Sequence, residues 1–144
     1  MKTSVKLKTA LVAPCGMNCG LCYAFQREKN KCYGCNQTDF AKPNSCRKCR
    51  IRNCSNLKSS NIKYCSACEI YPCARLKSLD KRYKLKYGMS MLENLNAIKA
   101  NGIRFFLKEE KVKWACSNCG NVLCVHRDVC FSCGHIKKIT KYKN

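Results

Sequence analysis

Sixteen of the 144 residues are cysteine, and twelve of them stand in Cys-x-x-Cys pairs: Cys19/Cys22, Cys32/Cys35, Cys46/Cys49, Cys65/Cys68, Cys116/Cys119 and Cys130/Cys133. A tight turn between two such residues sets both sulfurs on one side of the backbone, each able to reach a metal ion at about 2.3 Å, and two turns complete a tetrahedron. Cys15, Cys54, Cys73 and Cys124 stand outside the pairs. The choice between metal and disulfides turns on the compartment. Before Pro14 the N-terminus offers only the four-residue apolar run Ala10-Leu11-Val12-Ala13, short of an export-signal core. The expectation is therefore a cytoplasmic chain whose thiols stay reduced and serve as metal ligands.

The C-terminal pairs are the clearest case. Cys116-Ser117-Asn118-Cys119-Gly120 and Cys130-Phe131-Ser132-Cys133-Gly134 each place Gly directly after the second Cys, where a knuckle takes positive φ. Together they predict a zinc ribbon, with a short strand over Asn121–His126 between the knuckles. Four ligands are already supplied, so Cys124 and His126 are expected to pack or to support the ligands. His135 is expected at the surface.

Eleven cysteines crowd between Cys15 and Cys73. Sequential pairing joins Cys19/Cys22 with Cys32/Cys35 and Cys46/Cys49 with Cys65/Cys68. Interleaved pairing fits the spacing equally well, and Cys15, Cys54 or Cys73 can each displace a nominal ligand. The expectation for the whole chain is two to four zinc ions, with three favoured, and an iron–sulfur cluster at the N-terminal cysteines as the alternative, since thiolates alone do not separate iron from zinc. Cys15-x-x-x-Cys19-x-x-Cys22 is also similar to the three-cysteine signature of radical enzymes that use S-adenosylmethionine. The chain is too short to build the barrel that such chemistry encloses.

Little else could do chemistry. Two histidines and eight carboxylates show no nucleophile–base pairing, no Gly-rich phosphate loop and no metal site with an open position, so a non-enzymatic role is expected. The formal charge is +21. Three zinc–thiolate sites, each carrying −2, would lower it to about +15. Such a field suits non-specific nucleic-acid backbone or an acidic protein. Against a dedicated phosphate reader stand the excess of Lys over Arg, 21 to 8, and the lack of aromatics interleaved with the basic residues.

The elements that must position the cysteines are short. Leaving the cysteines out of the 46% apolar fraction lowers it to roughly 35%, too thin a core for a large barrel or a doubly wound sheet. Helical periodicity begins after Cys73: Leu76, Leu79, Tyr83 and Tyr87 form one stripe, with Arg75, Lys77, Lys81, Arg82, Lys84 and Lys86 on the other faces, opposed only by Asp80. This basic helix stops at Gly88. Ser90-Met91-Leu92-Glu93 is a capping box that opens a second helix, with Leu95 and Ile98 inward and a stop at Asn101-Gly102. A third helix turns Ile103, Phe106 and Leu107 inward and Lys108, Glu109, Glu110 and Lys111 outward. Trp114 is expected to plug the junction of helix and ribbon. No segment reads as a membrane span.

Ala13-Pro14-Cys15-Gly16-Met17-Asn18-Cys19-Gly20-Leu21-Cys22, Lys31-Cys32-Tyr33-Gly34-Cys35, Tyr64-Cys65-Ser66-Ala67-Cys68-Glu69-Ile70-Tyr71-Pro72-Cys73 and the ribbon, in that order, resemble the prokaryotic cysteine-rich family called domain of unknown function 3795. The resemblance runs from about Val12 to His135 and implies a small metal-binding protein without an assigned activity. The expected fold is a small metal-stabilised α+β chain with a zinc-knuckle N-terminal part, short helices and a C-terminal zinc ribbon. The expected segments are a basic arm (1–11), a Cys-rich metal-binding region (12–73), a helical segment (74–113), the ribbon (114–136) and a basic tail (137–144).

Overall fold

The computed structural model describes residues 6–36 and 49–137. Cys46, Arg47 and Lys48 lie outside the described residues, as do residues 1–5 of the N-terminal arm and 138–144 of the C-terminal tail. Five α-helices stand in chain order among the described residues: α1 (Tyr23–Gln26), α2 (Ser55–Ser59), α3 (Ala74–Tyr87), α4 (Met91–Asn101) and α5 (Ile103–Lys113). Single 3₁₀ turns cover Thr9–Leu11, Cys19–Leu21 and Cys65–Ala67. The β component of the expected α+β fold reduces, in the described residues, to three isolated bridges: Val12 with Asn18, Ala115 with Val122 and Val129 with Ile136. The strand expected over Asn121–His126 is one of these bridges and not a ladder, because the chain there turns away to dock on the N-terminal region.

Helices α3 to α5 start and stop where local chemistry dictates. Gly88 takes the left-handed conformation (φ +66°) that closes α3: its N–H donates to the Lys84 carbonyl at 3.2 Å and the Met89 N–H to the Tyr83 carbonyl at 3.3 Å. The glycine is the left-handed residue of an αL-type stop. Ser90 caps α4, its Oγ accepting the Glu93 N–H at 3.1 Å. Gly102 (φ +88°) ends α4 and opens α5 without a connecting loop. Helix α4 packs against α3, against α5 and against the turn at Cys65–Ala67.

Two acidic residues sit where helical periodicity places them outside. Asp80 is buried, since its carboxylate is the second cap of α4: Oδ1 accepts the Ser90 hydroxyl at 2.6 Å and the Leu92 N–H at 3.1 Å, while Lys84 Nζ lies 3.5 Å from Oδ2. Its charge faces the positive end of the α4 dipole. Glu110 is buried as well, accepting the Trp114 indole N–H at 3.1 Å. Burial pushes its pKa up to about 7.

The larger of two apolar clusters runs from Leu11 and Leu21 through Ile51, Leu76 and Leu95 to Trp114, Val125 and Cys130, and a smaller one joins Val12 and Ile98 to Phe106 of α5. The ribbon is therefore not a separate body. The Val125 N–H donates to the Leu21 carbonyl at 2.8 Å, and Gln26 Nε2 bridges the Gly20 and Leu123 carbonyls at 2.8 and 3.0 Å. Trp114 is buried at the junction, with Lys137 Nζ 5.4 Å from its ring centre.

Candidate metal centres

In the ribbon, the sulfurs of Cys116, Cys119, Cys130 and Cys133 all lie within 4.8 Å of one another. The Cys116–Cys133 and Cys119–Cys130 sulfur separations are both 3.7 Å. Four thiolates at about 2.3 Å from one ion stand about 3.8 Å apart at tetrahedral geometry, so the four sulfurs fit a single metal ion. Among the described residues no other set of three or more His, Cys, Asp or Glu ligand atoms closes to that distance.

The geometry arises from one turn used twice. The Cys116 N–H donates to the Asn121 carbonyl and the Cys130 N–H to the His135 carbonyl, both at 2.8 Å. Gly120 and Gly134 return their N–H groups to Cys116 and Cys130, again at 2.8 Å, with φ of +80° and +78°. The outer rung repeats too: Leu123 to Trp114, and Lys137 to Asp128. Each contact in the second knuckle sits fourteen residues after its counterpart. The sequence carries this repeat in the Cys-x-x-Cys-Gly units and in Val122 and Ile136 two residues after each Gly.

Around the sulfurs, Asn118 has a role that spacing does not announce. Its Nδ2 donates to Cys133 Sγ at 3.4 Å and its backbone N–H to Cys116 Sγ at 3.4 Å. The Asn118 side chain and the His135 N–H hold the Cys133 pKa down to about 6, and the Cys119 N–H lowers that of Cys116. Cys119 runs the other way: against the Asn121 N–H, desolvation and the neighbouring sulfurs push its pKa up to about 12, as crowded thiolates do without a cation between them.

His126 has both ring nitrogens engaged. Nδ1 accepts the Tyr23 N–H at 3.2 Å, which leaves the proton on Nε2, 2.8 Å from the Tyr83 hydroxyl. Tyr83 and Tyr87 pack edge-on against the ring, so these two tyrosines of the α3 stripe face the ribbon. Burial, helped by Arg127 and Lys137, lowers the His126 pKa to about 4. Cys124 is buried next to it, and burial raises its pKa. His135 is exposed, with Nε2 3.4 Å from Ser117 Oγ.

The N-terminal cysteines are arranged otherwise. Of the first two pairs, Cys35 is brought to Cys19, its N–H donating to Cys19 Sγ at 3.4 Å, while the Gly34 N–H donates locally to Cys32 Sγ at 3.5 Å and Cys22 stands directly before α1. Cys15 is buried, and burial drives its pKa well above the usual thiol range, with Cys35, Cys49 and Cys65 close enough to add to the shift. Cys49 Sγ accepts the Arg52 N–H at 3.5 Å, and Arg52 Nε donates to the Cys35 carbonyl at 2.8 Å. Cys65 is surrounded by Cys73, Cys54, Cys68 and Cys49, and burial together with these neighbours pushes its pKa up to about 12. Cys54, Cys65, Cys68 and Cys73 line a cavity of about 390 Å³.

The Ala13–Cys19 stretch clamps this region to the helices. The Ala13 N–H closes a tight turn on the Met17 carbonyl at 2.8 Å, and Asn94 Nδ2 donates to the Gly16 carbonyl at 3.0 Å. A Cβ on Gly16 (φ +92°) would stand 2.8 Å from the Met91 carbonyl oxygen. Asn18 is fully buried, accepting the Gly20 N–H at 3.1 Å.

Fold and sites together define a class: a small, helix-rich, cysteine-scaffolded protein ending in a two-knuckle, four-sulfur centre able to bind metal. Residues 11–78 match the model of the family described as Protein of unknown function (DUF3795), and that segment is similar to the family. The match ends inside α3, so α4, α5 and the ribbon lie beyond it. No curated protein and no solved structure matches the chain. No helix among the described residues is long and apolar enough to cross a membrane.

Proposed function

We propose that the chain is a metal-scaffolded, non-catalytic binding module, with zinc in the ribbon and a nucleic-acid backbone as its partner. The observation that carries the partner is the outer surface of α3. Arg75, Lys77, Lys81, Arg82 and Lys86 are all exposed, and Asp80, the only acid on the helix, is turned inward. Arg75, Arg82 and Lys86, at spacings of seven and four, share one stripe about 16 Å long. Lys77 and Lys81 lie on the opposite flank of the apolar stripe. A row of cations without interleaved acids suits the phosphates of a nucleic acid irrespective of sequence. Tyr33 and Phe105 are exposed, so rings are available at the surface although they stand off this helix. The Arg52 end of the Arg47–Arg52 cluster holds the Cys35 carbonyl, which leaves α3 as the better candidate.

The test is a salt titration of binding to mixed RNA and DNA by the zinc-loaded full chain. The quadruple variant Arg75→Glu, Lys77→Glu, Lys81→Glu, Arg82→Glu is expected to bind weaker and to flatten the slope of log K against log salt by about 0.7–0.9 for each phosphate that the helix no longer neutralises. Wild-type affinity weaker than about 10⁻⁴ M at physiological salt, or a slope unchanged by the four reversals, would overturn the assignment.

A further inference from the structure

We propose that Cys54, Cys65, Cys68 and Cys73 hold a four-iron, four-sulfide cluster in the cavity they line. The site joins two cysteines from outside the pairs to one Cys-x-x-Cys pair, in the order Cys-x₁₀-Cys-x₂-Cys-x₄-Cys.

The first argument is size, and the ribbon is its internal control. In the same chain the ribbon sulfurs close to within 4.8 Å of one another around a point. The four N-terminal sulfurs do not, and the open pocket that they line together with Ile51, Leu57, Tyr71 and Leu76 has a volume of about 390 Å³. One water needs roughly 10–15 Å³ of such space, so the pocket has room for a body far larger than a single ion. A single ion draws its four thiolates together, whereas a cluster inserts iron and sulfide between them and holds the ligands apart.

The walls and the charge agree. Ile51, Leu57 and Leu76 are buried against the pocket and give it an apolar floor, while its mouth opens to solvent past Arg50, Ile70 and Arg75. Four thiolates around a 2+ cluster core leave a net charge of −2. Arg50 and Arg75, both on the cavity lining and both reaching solvent, supply two positive charges. Cys73 is also the N-terminal cap residue of the fourteen-residue α3, whose dipole favours negative charge there. Loading from a preformed cluster needs no electron transfer: each cysteine thiol replaces one small thiolate on iron, and its proton leaves on the departing thiol.

The experiment presents the anaerobic, zinc-loaded full chain with a synthetic four-iron, four-sulfide cluster carrying four small thiolate ligands. Uptake of iron and acid-labile sulfide in equal amounts, four of each per chain, is expected. So is a brown colour that bleaches on one-electron reduction while a paramagnetic signal appears. The double variant Cys54→Ser/Cys73→Ser is expected to take up less than a tenth of the wild-type sulfide with its ribbon zinc retained. Cys116→Ser/Cys130→Ser is expected to lose zinc and keep the cluster.

A second measurement needs no variant. Alkylation of wild-type protein before and after loading, mapped by peptide, is expected to show new protection at Cys54, Cys65, Cys68 and Cys73 and none at Cys15, Cys19 or Cys32. The assignment is overturned by the absence of acid-labile sulfide after loading, by full uptake in Cys54→Ser/Cys73→Ser, or by protection at a different set of cysteines. None of these results bears on nucleic-acid binding, so the two readings stand or fall separately.

Discussion

In the ribbon, two copies of one backbone turn bring four sulfurs to a point, and nearly every hydrogen bond that positions them lies within a knuckle. Ahead of it, the sulfurs of Cys54, Cys65, Cys68 and Cys73 converge only because separate segments fold back on one another. Their carriers are the turn before α2, the 3₁₀ turn at Cys65–Ala67 and the cap of α3. The ribbon is local and self-similar; the N-terminal region depends on tertiary contacts, above all on the Ala13–Met17 turn gripped by α4. A centre built from local turns can reassemble whenever its ion returns. A set of cysteines brought together across segments forms only together with the core, so whatever it binds is coupled to the fold as a whole.

The largest effect expected from this contrast is on metal removal. Binding energy at structural thiolate sites, on the order of 10 kcal/mol per ion, is folding energy in a chain with this little apolar core. Exhaustive chelation is expected to abolish the cooperative thermal transition and most of the helical dichroism. Zinc alone, added back under reducing conditions, is expected to restore the ribbon and leave the N-terminal region incomplete. Full recovery of the transition with zinc alone would erase the distinction between the two regions, and retention of both signals without any metal would show that the apolar cluster suffices.

Glycines probe the same contrast at smaller scale. Gly16→Ala sets a Cβ 2.8 Å from the Met91 carbonyl oxygen and 3.0 Å from Leu95 Cγ, at φ +92°. Neither backbone can yield without opening the contact between the signature turn and α4, so a loss of about 2–4 kcal/mol is expected. Gly120→Ala has the same sign of φ (+80°) and open space around the new methyl, so only the conformational cost remains, about 1 kcal/mol. Denaturant midpoints of the two variants measure the difference. Equal losses would mean that the Gly16 turn is no more constrained than the ribbon knuckle.

How far the sequence foretells these regions follows the same division. The boundaries of α3, α4 and α5 are written in Gly88, Ser90 and Gly102, and the ribbon in two Cys-x-x-Cys-Gly units, because caps and knuckles are local interactions. Asp80 and Glu110 are misplaced by periodicity, which sends carboxylates outward because burying one is costly. Their compensating partners, Ser90, Leu92 and Trp114, become visible only when the helices meet or turn. The grouping of the N-terminal cysteines is illegible for a related reason. Residue spacing counts distance along the chain, and Cys54 and Cys73 reach Cys65 across chain reversals that spacing does not encode. Cys54 and Cys73 do share one local mark, since each stands directly before a helix.

The smallest expected effect separates the helical segment from the ribbon junction by pH. Glu110 has its pKa raised from 4.5 to about 7 by burial, so the folded state keeps a proton that the unfolded state has lost. Its contribution is therefore full below about pH 4.5 and disappears as the pH rises to about 7. His126 runs the other way. Its pKa falls from 6.5 to about 4, so the unfolded state takes up the proton first, and stability is full above about pH 6.5 and lost as the pH falls toward 4. Between these limits the two slopes oppose each other, and wild-type stability is expected to be flat where either residue alone would tilt it. Glu110→Gln keeps an acceptor for the Trp114 indole and removes the charge. Relative to wild type it is expected to gain about 1–3 kcal/mol above pH 7 and nothing below pH 4.5. His126→Gln sacrifices the Tyr83 and Tyr23 contacts at every pH, so the informative quantity is its slope: the difference from wild type should shrink as the pH falls from 6.5 to 4. Taking differences at each pH cancels the proton competition at the metal thiolates, which both proteins share. Denaturant titrations at half-unit pH steps give both curves. A Glu110→Gln difference that does not vary with pH would place that carboxylate in contact with water, and a constant His126→Gln difference would do the same for the ring that joins α3 to the ribbon.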